Sequence, residues 1–499
     1  MRIEFGGKLV ILSVAAVVVL VAVLLRLPDR PKGTLAGEDL MFYCAAGVKM
    51  PVDAVAREYE KEYGVKIQLQ FGGSGTLLSN LEVSRRGDLY LAADDSYMDK
   101  AREKGLLAEV IPLARMRPVI AVRKGNPKKI GAIRDLTGDG VATALANPDA
   151  AAIGRIIRTV LTRTGDWDRL RDRARVFKPT VTDIANDIKI GAVDAGIVWD
   201  ATASQYPELE AIEVPEFQSE EQWISVGVLK SAANPAHALK FARYLAARDK
   251  GLREMRRFGY RPVDGDVWAE TPELILFSGA VNRLAIEESL KRFEAREGVR
   301  GTRVYNGCGI LVSQMKAGQR PDAYFACDSP FMAAVSNLFA EVEEVSATDM
   351  VMLVQKGNPK GIRSLEDLAQ TALKLGIANE DQSALGARTK QLLESAGLLD
   401  RIRDNVKTRT PTADLLVNQM RTGALDAAIV YRANTAHVRD KLDVIPIARA
   451  DALAVQPIGV NRQSDHKYLV RRLKQTLMSG ESRAQFESSG FTWRAGRHD

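Results

Sequence analysis

The chain has 499 residues, 46% hydrophobic and 27% charged, a globular composition that excludes collagen-like, disulfide-scaffold and wholly disordered readings. At about 150 residues per domain, the length points to two large domains or about three smaller ones. Net charge is +7, but Lys and Arg alternate with Asp and Glu in stretches such as Arg57–Lys61 and Arg169–Arg175, so no nucleic-acid-binding stripe exists.

Taken in chain order, the first feature is an apolar run, Leu9–Leu25, bounded by Lys8 and Arg26. Its 17 residues lie at the lower edge of what spans a bilayer as a helix, so an anchor competes with the core of a signal peptide. Cleavage needs small residues just beyond the run, yet Arg26-Leu27-Pro28-Asp29 follow, and Thr34-Leu35-Ala36 lies too far downstream. Phe42-Tyr43 before Cys44 are too large for a lipid-attachment site. The reading is an uncleaved anchor: residues 1–36 form a cytoplasmic stub, a membrane helix through residues 9–25 and a juxtamembrane segment.

Beyond it, strand and helix patterns alternate. Strand Leu40–Ala46 precedes helix Val52–Tyr63, strand Val65–Phe71, a Gly72-Gly73-Ser74-Gly75 turn, helix Thr76–Arg86, strand Asp88–Ala92 and helix Ser96–Lys104. Strand Arg117–Arg123 ends at Lys124-Gly125-Asn126-Pro127. A second α/β group follows, with strand Val141–Leu145, helices Ile153–Thr164 and Val181–Ile190, and strand Ala195–Trp199. Strand Trp223–Val228 and one long helix Pro235–Arg257 close it. This winding predicts parallel sheets.

The chain then repeats itself. A shift of 234 positions pairs Ala46 with Ala280, Gly73 and Gly75 with Gly307 and Gly309, Asp88 with Asp322 and Asp94 with Asp328. A shift of 232 then pairs Lys124–Lys128 with Lys356–Lys360, Asp135-Leu136 with Asp367-Leu368, and Asp194-Ala195 with Asp426-Ala427. A period above 200 residues means two whole domains, expected at 37–262 and 273–499, with residues 263–272, rich in Pro, Asp, Glu and Gly, as a linker.

The turn Gly72-Gly73-Ser74-Gly75 lies where a strand enters a helix, a place that suits an anion: close backbone approach, a hydroxyl and a positive dipole end. A plain tight turn explains the same four residues, and no Lys follows to make a phosphate loop. The three cysteines, Cys44, Cys308 and Cys327, are an odd number without C-x-x-C spacing, which argues against a zinc site and a disulfide framework. Four histidines lie far apart, so no catalytic or metal-ligating residue is assigned.

The element order, Phe71-Gly-Gly-Ser-Gly-Thr-Leu-Leu, Gly87-Asp88-Leu-Tyr-Leu-Ala-Ala-Asp94, Tyr97-Met98-Asp99 and Gly191-Ala-Val-Asp-Ala-Gly-Ile-Val-Trp199 resemble the periplasmic molybdate-binding proteins of ABC transporters. The likeness covers nearly all of 40–262 and again 274–493. It implies an α/β fold of two tandem periplasmic-binding-protein-like (class II) domains behind one N-terminal transmembrane helix. Each domain would be bilobal, with hinge strands near Val119–Val122 and Val198–Ala201, and would close on a tetrahedral oxyanion held by neutral donors. Carried over residue by residue, the first-domain site is Ser74, the amides near Ala152-Ile153 and at Val181, and Trp199 at a tyrosine position; a first serine falls at Ala46 or Gly47. In the second domain the counterparts are Ala280, Cys308 in place of the turn serine, amides near Ala384-Leu385 and at Ala413, Tyr431, and Ser383 as an extra hydroxyl. Trp199 and Tyr431 also read as aromatic strand ends packing a hinge, and Cys308 as an inert small residue. Because a thiol donates poorly, the first domain is expected to bind more tightly than the second.

The function so implied is capture of a small oxyanion, molybdate first, outside the cytoplasm, with no cofactor, and its presentation to an ABC permease and ATPase on separate chains. Tungstate, sulfate or another oxyanion, or a tethered module without a transport role, are alternatives. An enzyme using Cys308 as nucleophile is a further one, disfavoured because no base stands near it in sequence.

Overall fold

The computed structural model describes residues 39–496, so the Leu9–Leu25 run and the anchor expected there lie outside the described residues. Among the described residues no helix is long and apolar enough to cross a membrane. The described chain divides into two compact units, the first running to Leu245 and including Lys250–Pro262, the second comprising Ala246–Asp249 and everything from Val263.

Each unit opens on the same local logic. In the first, helix Lys49–Tyr63 turns Val52, Val55, Ala56, Tyr59 and Tyr63 inward at helical spacing and stops at Gly64, whose φ of 70° is the left-handed cap. In the second, Arg283–Glu297 buries Ile286, Leu290 and Phe293 and ends at Gly298 with φ 64°. At the place of Tyr63 stands Glu297, fully buried and bound by Arg472 at 3.0 Å.

The first unit has two sheets. One runs in the order Arg261–Pro262, Leu107–Met116, Gln222–Leu229, Leu89–Ala92, Leu40–Ala45, Ile67–Gly72. The other runs Val176–Lys178, Thr143–Ala146, Ala195–Trp199, Pro118–Arg123, Leu209–Ile212. Both sheets are mixed rather than parallel. Leu40–Ala45 is parallel to both its neighbours, as a βαβ winding requires, but Gln222–Leu229 lies antiparallel to both of its own. The chain leaves the first lobe along Leu107–Met116 and returns along Gln222–Leu229, and an outgoing and a returning strand side by side must oppose.

The second unit keeps this plan with one difference. A single strand of 17 residues, Phe339–Gln355, pairs with Leu453–Asn461 in one lobe and with Ala427–Tyr431 in the other. The first unit breaks the same path at Arg117, ahead of Pro118, whose ring nitrogen offers no ladder hydrogen; the repeat has Met350 at that place. The long helix expected over Pro235–Arg257 is two helices, Pro235–Leu245 and Gly251–Arg257, because the chain folds back until Gly251 sits on the Leu245 carbonyl. A Cβ at Gly251 would stand 2.1 Å from that oxygen.

Candidate ligand-binding site

In the first unit four helix starts meet. Strand Leu40–Ala45 ends in a short 3-10 turn at Ala46–Val48. Strand Ile67–Gly72 runs through Gly73 directly into helix Ser74–Ser84. From the facing lobe come the starts of Ala152–Thr164 and Val181–Lys189. Between them lies a cavity of ≈ 20 Å³, room for a compact group and far below the several hundred Å³ of sites for drug-sized ligands. All seven residues expected in this domain line it: Ala46, Gly47, Ser74, Ala152, Ile153, Val181 and Trp199. Gly72 and Gly73 of the glycine-serine turn line it as well, and so do Ala45, Ala93, Ala151 and Thr180, which were not anticipated. No lining residue is charged.

The cavity is a ring of donors. The first amides of a helix have no partner within it, and the starts at Ser74 and Ala152 carry no side-chain cap. Ser74 is 1% exposed and held from two sides: its Oγ accepts the Ala93 N–H at 3.0 Å and its carbonyl accepts the Tyr90 hydroxyl at 2.9 Å. With its lone pair so used, the Ser74 hydroxyl keeps its own proton to donate. The indole edge of Trp199 faces the bare Cα of Gly47, where an added Cβ would lie 3.1 Å from Cδ1 and 3.3 Å from Nε1. Gly47 is fixed from behind by the Tyr260 hydroxyl, which donates to its carbonyl; burial pushes that phenol above its ordinary range. Three α-helix dipoles and neutral donors together favour an anion, and the side-chain acceptors in the lining are the Ser74 and Thr180 hydroxyls.

The glycines of the turn serve a purpose the sequence did not disclose. A Cβ on Gly73 would stand 2.3 Å from the Ala150 carbonyl oxygen and one on Gly75 would stand 2.7 Å from that of Asp149. The two lobes touch backbone to backbone there, and Gly75 N–H donates to Ala150 O at 3.0 Å. Beside this contact Arg155 of one lobe reaches Asp94 of the other at 3.2 Å, with Asp94 fully buried and also accepting from Ser96 and the Tyr97 amide. The second unit repeats both features: Gly309 N–H donates to Gln382 O at 3.1 Å, and Arg388 meets Asp328 at 2.6 Å.

The second unit's expected residues fall at corresponding places, with one correction. Ser383 precedes helix Ala384–Ser395, which carries Leu385; Ala413 starts the helix ending at Arg421, and Ala280 starts a 3-10 turn. Cys308 opens helix Cys308–Lys316, but it is no thiol: its sulfur is bonded to that of Cys327, 19 residues on, at 2.32 Å. The odd cysteine count concealed the pair because the partner lies across a helix from it, with no short spacing to betray it. The weak-donor and nucleophile readings of Cys308 both fall with its free S–H. Cys44 is the cysteine left free; it is fully buried, and desolvation raises its thiol far out of the reactive range. Tyr431 ends its strand with its hydroxyl buried and unpartnered, its ionisation pushed well up by burial and by Asp328. Among the described residues no cluster of three or more His, Cys, Asp or Glu could hold a metal ion.

These features coincide with a known family. Residues 40–261 and 274–492 each match the bacterial extracellular solute-binding proteins, and the chain belongs to that family, in two copies. The molybdate-binding protein of Mycobacterium bovis is 27% identical over 236 residues, 46% of this chain and 88% of the relative. That of Escherichia coli K12 is 27% identical over 227 residues, 44% of this chain and 87% of the relative. The solved periplasmic molybdate-binding protein of Azotobacter vinelandii is 18% identical, with a TM-score of 0.39, covering 44% of this chain and 98% of that one.

Proposed function

We propose that the protein captures a small tetrahedral oxyanion, molybdate or its close analogue tungstate, in the first-unit cavity between Ser74, Trp199 and the helix starts at Ala152 and Val181. The observation that carries this is the lining itself: a compact, uncharged pocket where helix amides and one serine hydroxyl converge from both lobes. An uncharged lining rich in donors and without a carboxylate suits a fully deprotonated anion better than hydrogen phosphate, whose proton needs a strong acceptor. The names of the relatives point to molybdate ahead of sulfate. Capture proceeds by closure of the lobes, and the bound anion passes to an ABC permease and its ATPase on other chains. The protein acts as a binder and not an enzyme, a reading supported by a pocket without titratable side chains. Residues 9–25 hold both domains, 37–262 and 273–499, to the outer face of the cell membrane.

The test is titration calorimetry of the protein with molybdate, tungstate, sulfate and phosphate, read in parallel by Trp199 fluorescence. Molybdate and tungstate are expected to bind at least tenfold more tightly than sulfate, and phosphate not at all. Equal affinity for phosphate would sink this reading.

A further inference from the structure

Resting on that function, we infer that the second unit has given up its anion site, its cradle rebuilt around the Cys308–Cys327 disulfide, so that the chain carries one ligand and not two.

The repeat allows the two cradles to be compared position by position. In the first, Ser74 Oγ accepts the Ala93 N–H at 3.0 Å and keeps a proton to donate. In the second, Cys308 replaces Ser74 and Cys327 replaces Ala93; the Cys327 N–H donates to Cys308 Sγ at 3.0 Å, so the same scaffold bond is kept. The sulfur of a disulfide has no hydrogen, and the cradle's central side-chain donor is gone.

Two neighbours have changed with it. Ala45 of the first cradle is matched by Gly279, and a Cβ there would stand 2.1 Å from Cys327 Sγ and 3.0 Å from Cys308 Sγ. The disulfide thus fills the room of the Ala45 methyl, and only glycine admits it. Gly47, whose bare Cα leaves space against Trp199 and Val181, is matched by Val281, a branched side chain 8% exposed. Where an added Cβ already crowds the first cradle to 3.1 Å, the second carries a whole isopropyl group. Serine to cystine, alanine to glycine and glycine to valine together remove the cradle's central hydroxyl and cross-link its floor, while Ser383 and Tyr431, standing where the first cradle has Ala151 and Trp199, carry hydroxyls at its edges.

The experiment uses the full chain exported through an oxidising compartment. Unfolded without reductant it should expose one reactive thiol, Cys44, and after reduction three. Calorimetry with molybdate should give one site, weakened at least tenfold in Ser74→Ala. The triple variant Val281→Gly, Cys308→Ser, Cys327→Ala, which opens the disulfide and restores the first cradle's serine and glycine, should raise the count to two. Three free thiols before reduction, two sites in the unaltered chain, a single site whose affinity Ser74→Ala leaves unchanged, or a triple variant that stays at one site would each overturn the inference. No binding at all by the unaltered chain would instead overturn the oxyanion function on which it rests.

Discussion

Ser74 owes its position to Ala93 and Tyr90, not to whatever occupies the cavity. A donor locked in place before binding loses little entropy on binding, so its removal registers almost wholly in affinity. Ser74→Ala is expected to weaken oxyanion binding by about tenfold to a hundredfold, the equivalent of one lost hydrogen bond of about 1–3 kcal/mol. Its melting temperature should move little, and calorimetry beside a thermal scan checks both. Tyr431 presents the reverse situation, a buried hydroxyl with no hydrogen-bond partner in the protein. Deleting an unsatisfied polar group from an interior is neutral or favourable. Tyr431→Phe should leave stability unchanged or raise it by up to about 1 kcal/mol in denaturant unfolding, without altering molybdate affinity; a loss of affinity would mean that the hydroxyl holds the anion.

At the level of strands, the most informative pair lies where each chain path crosses from one sheet to the other. In the first unit the Arg117 N–H donates to Asp200 at 3.1 Å, and the Arg117 and Arg261 guanidiniums share that carboxylate. At the repeat's matching positions stand Asp349 and Arg432, joined at 2.5 Å with the charges exchanged. The repeat has kept the ion pair at the crossing while inverting its polarity, which marks it as a contact the fold uses. Both partners are about a third exposed, so solvent screening holds the pair to about 0.5–1 kcal/mol. Asp349→Arg and Arg432→Asp should each destabilise by about that amount, and the double variant should recover at least half; a coupling near zero in the double-mutant cycle would refute the pairing. The Arg432 hydrogen bonds hold the Asp349 carboxyl below its usual range. A depressed folded-state pKa contributes stability above the ordinary carboxylate value of about 4, and the contribution fades as pH falls below it. Asp349→Asn should therefore be less stable than the unaltered chain at neutral pH, the gap narrowing below about pH 4.

Over the whole molecule, what the repeat retains and what it discards separate fold from function. The aspartates that recur are structural: Asp88 and Asp322 each accept a first-strand amide, from Met41 and Ile275. Asp194 and Asp426 likewise accept those of Ala142 and Lys374. Asn126 and Asn358, in the repeated Lys-Gly-Asn-Pro turn, close the same loop onto Ile130 and Ile362. These local bonds have fixed spacings, which is why the strands and turns were legible. Donors around a cavity come from four separate segments and lie in no single spacing, so beyond the Gly72–Gly75 turn the first-unit site was readable only through resemblance, and Thr180 or Ala93 not at all. The disulfide was hidden for the same reason, since Cys308 opens a helix while Cys327 follows a strand. The two units should therefore answer different reagents. Oxyanion at about a hundred times its dissociation constant stabilises the unit that binds it by about 2.7 kcal/mol. Opening a disulfide loop of this length costs about 3 kcal/mol. For domains of this size, either change moves a transition by about 5–12 °C. A calorimetric scan is expected to resolve two transitions, one raised by molybdate and insensitive to reductant, the other lowered by reductant and indifferent to molybdate. Ser74→Ala should shrink the first response by at least half and Cys308→Ala should abolish the second; a single transition that answers both reagents would show that the two units do not unfold separately.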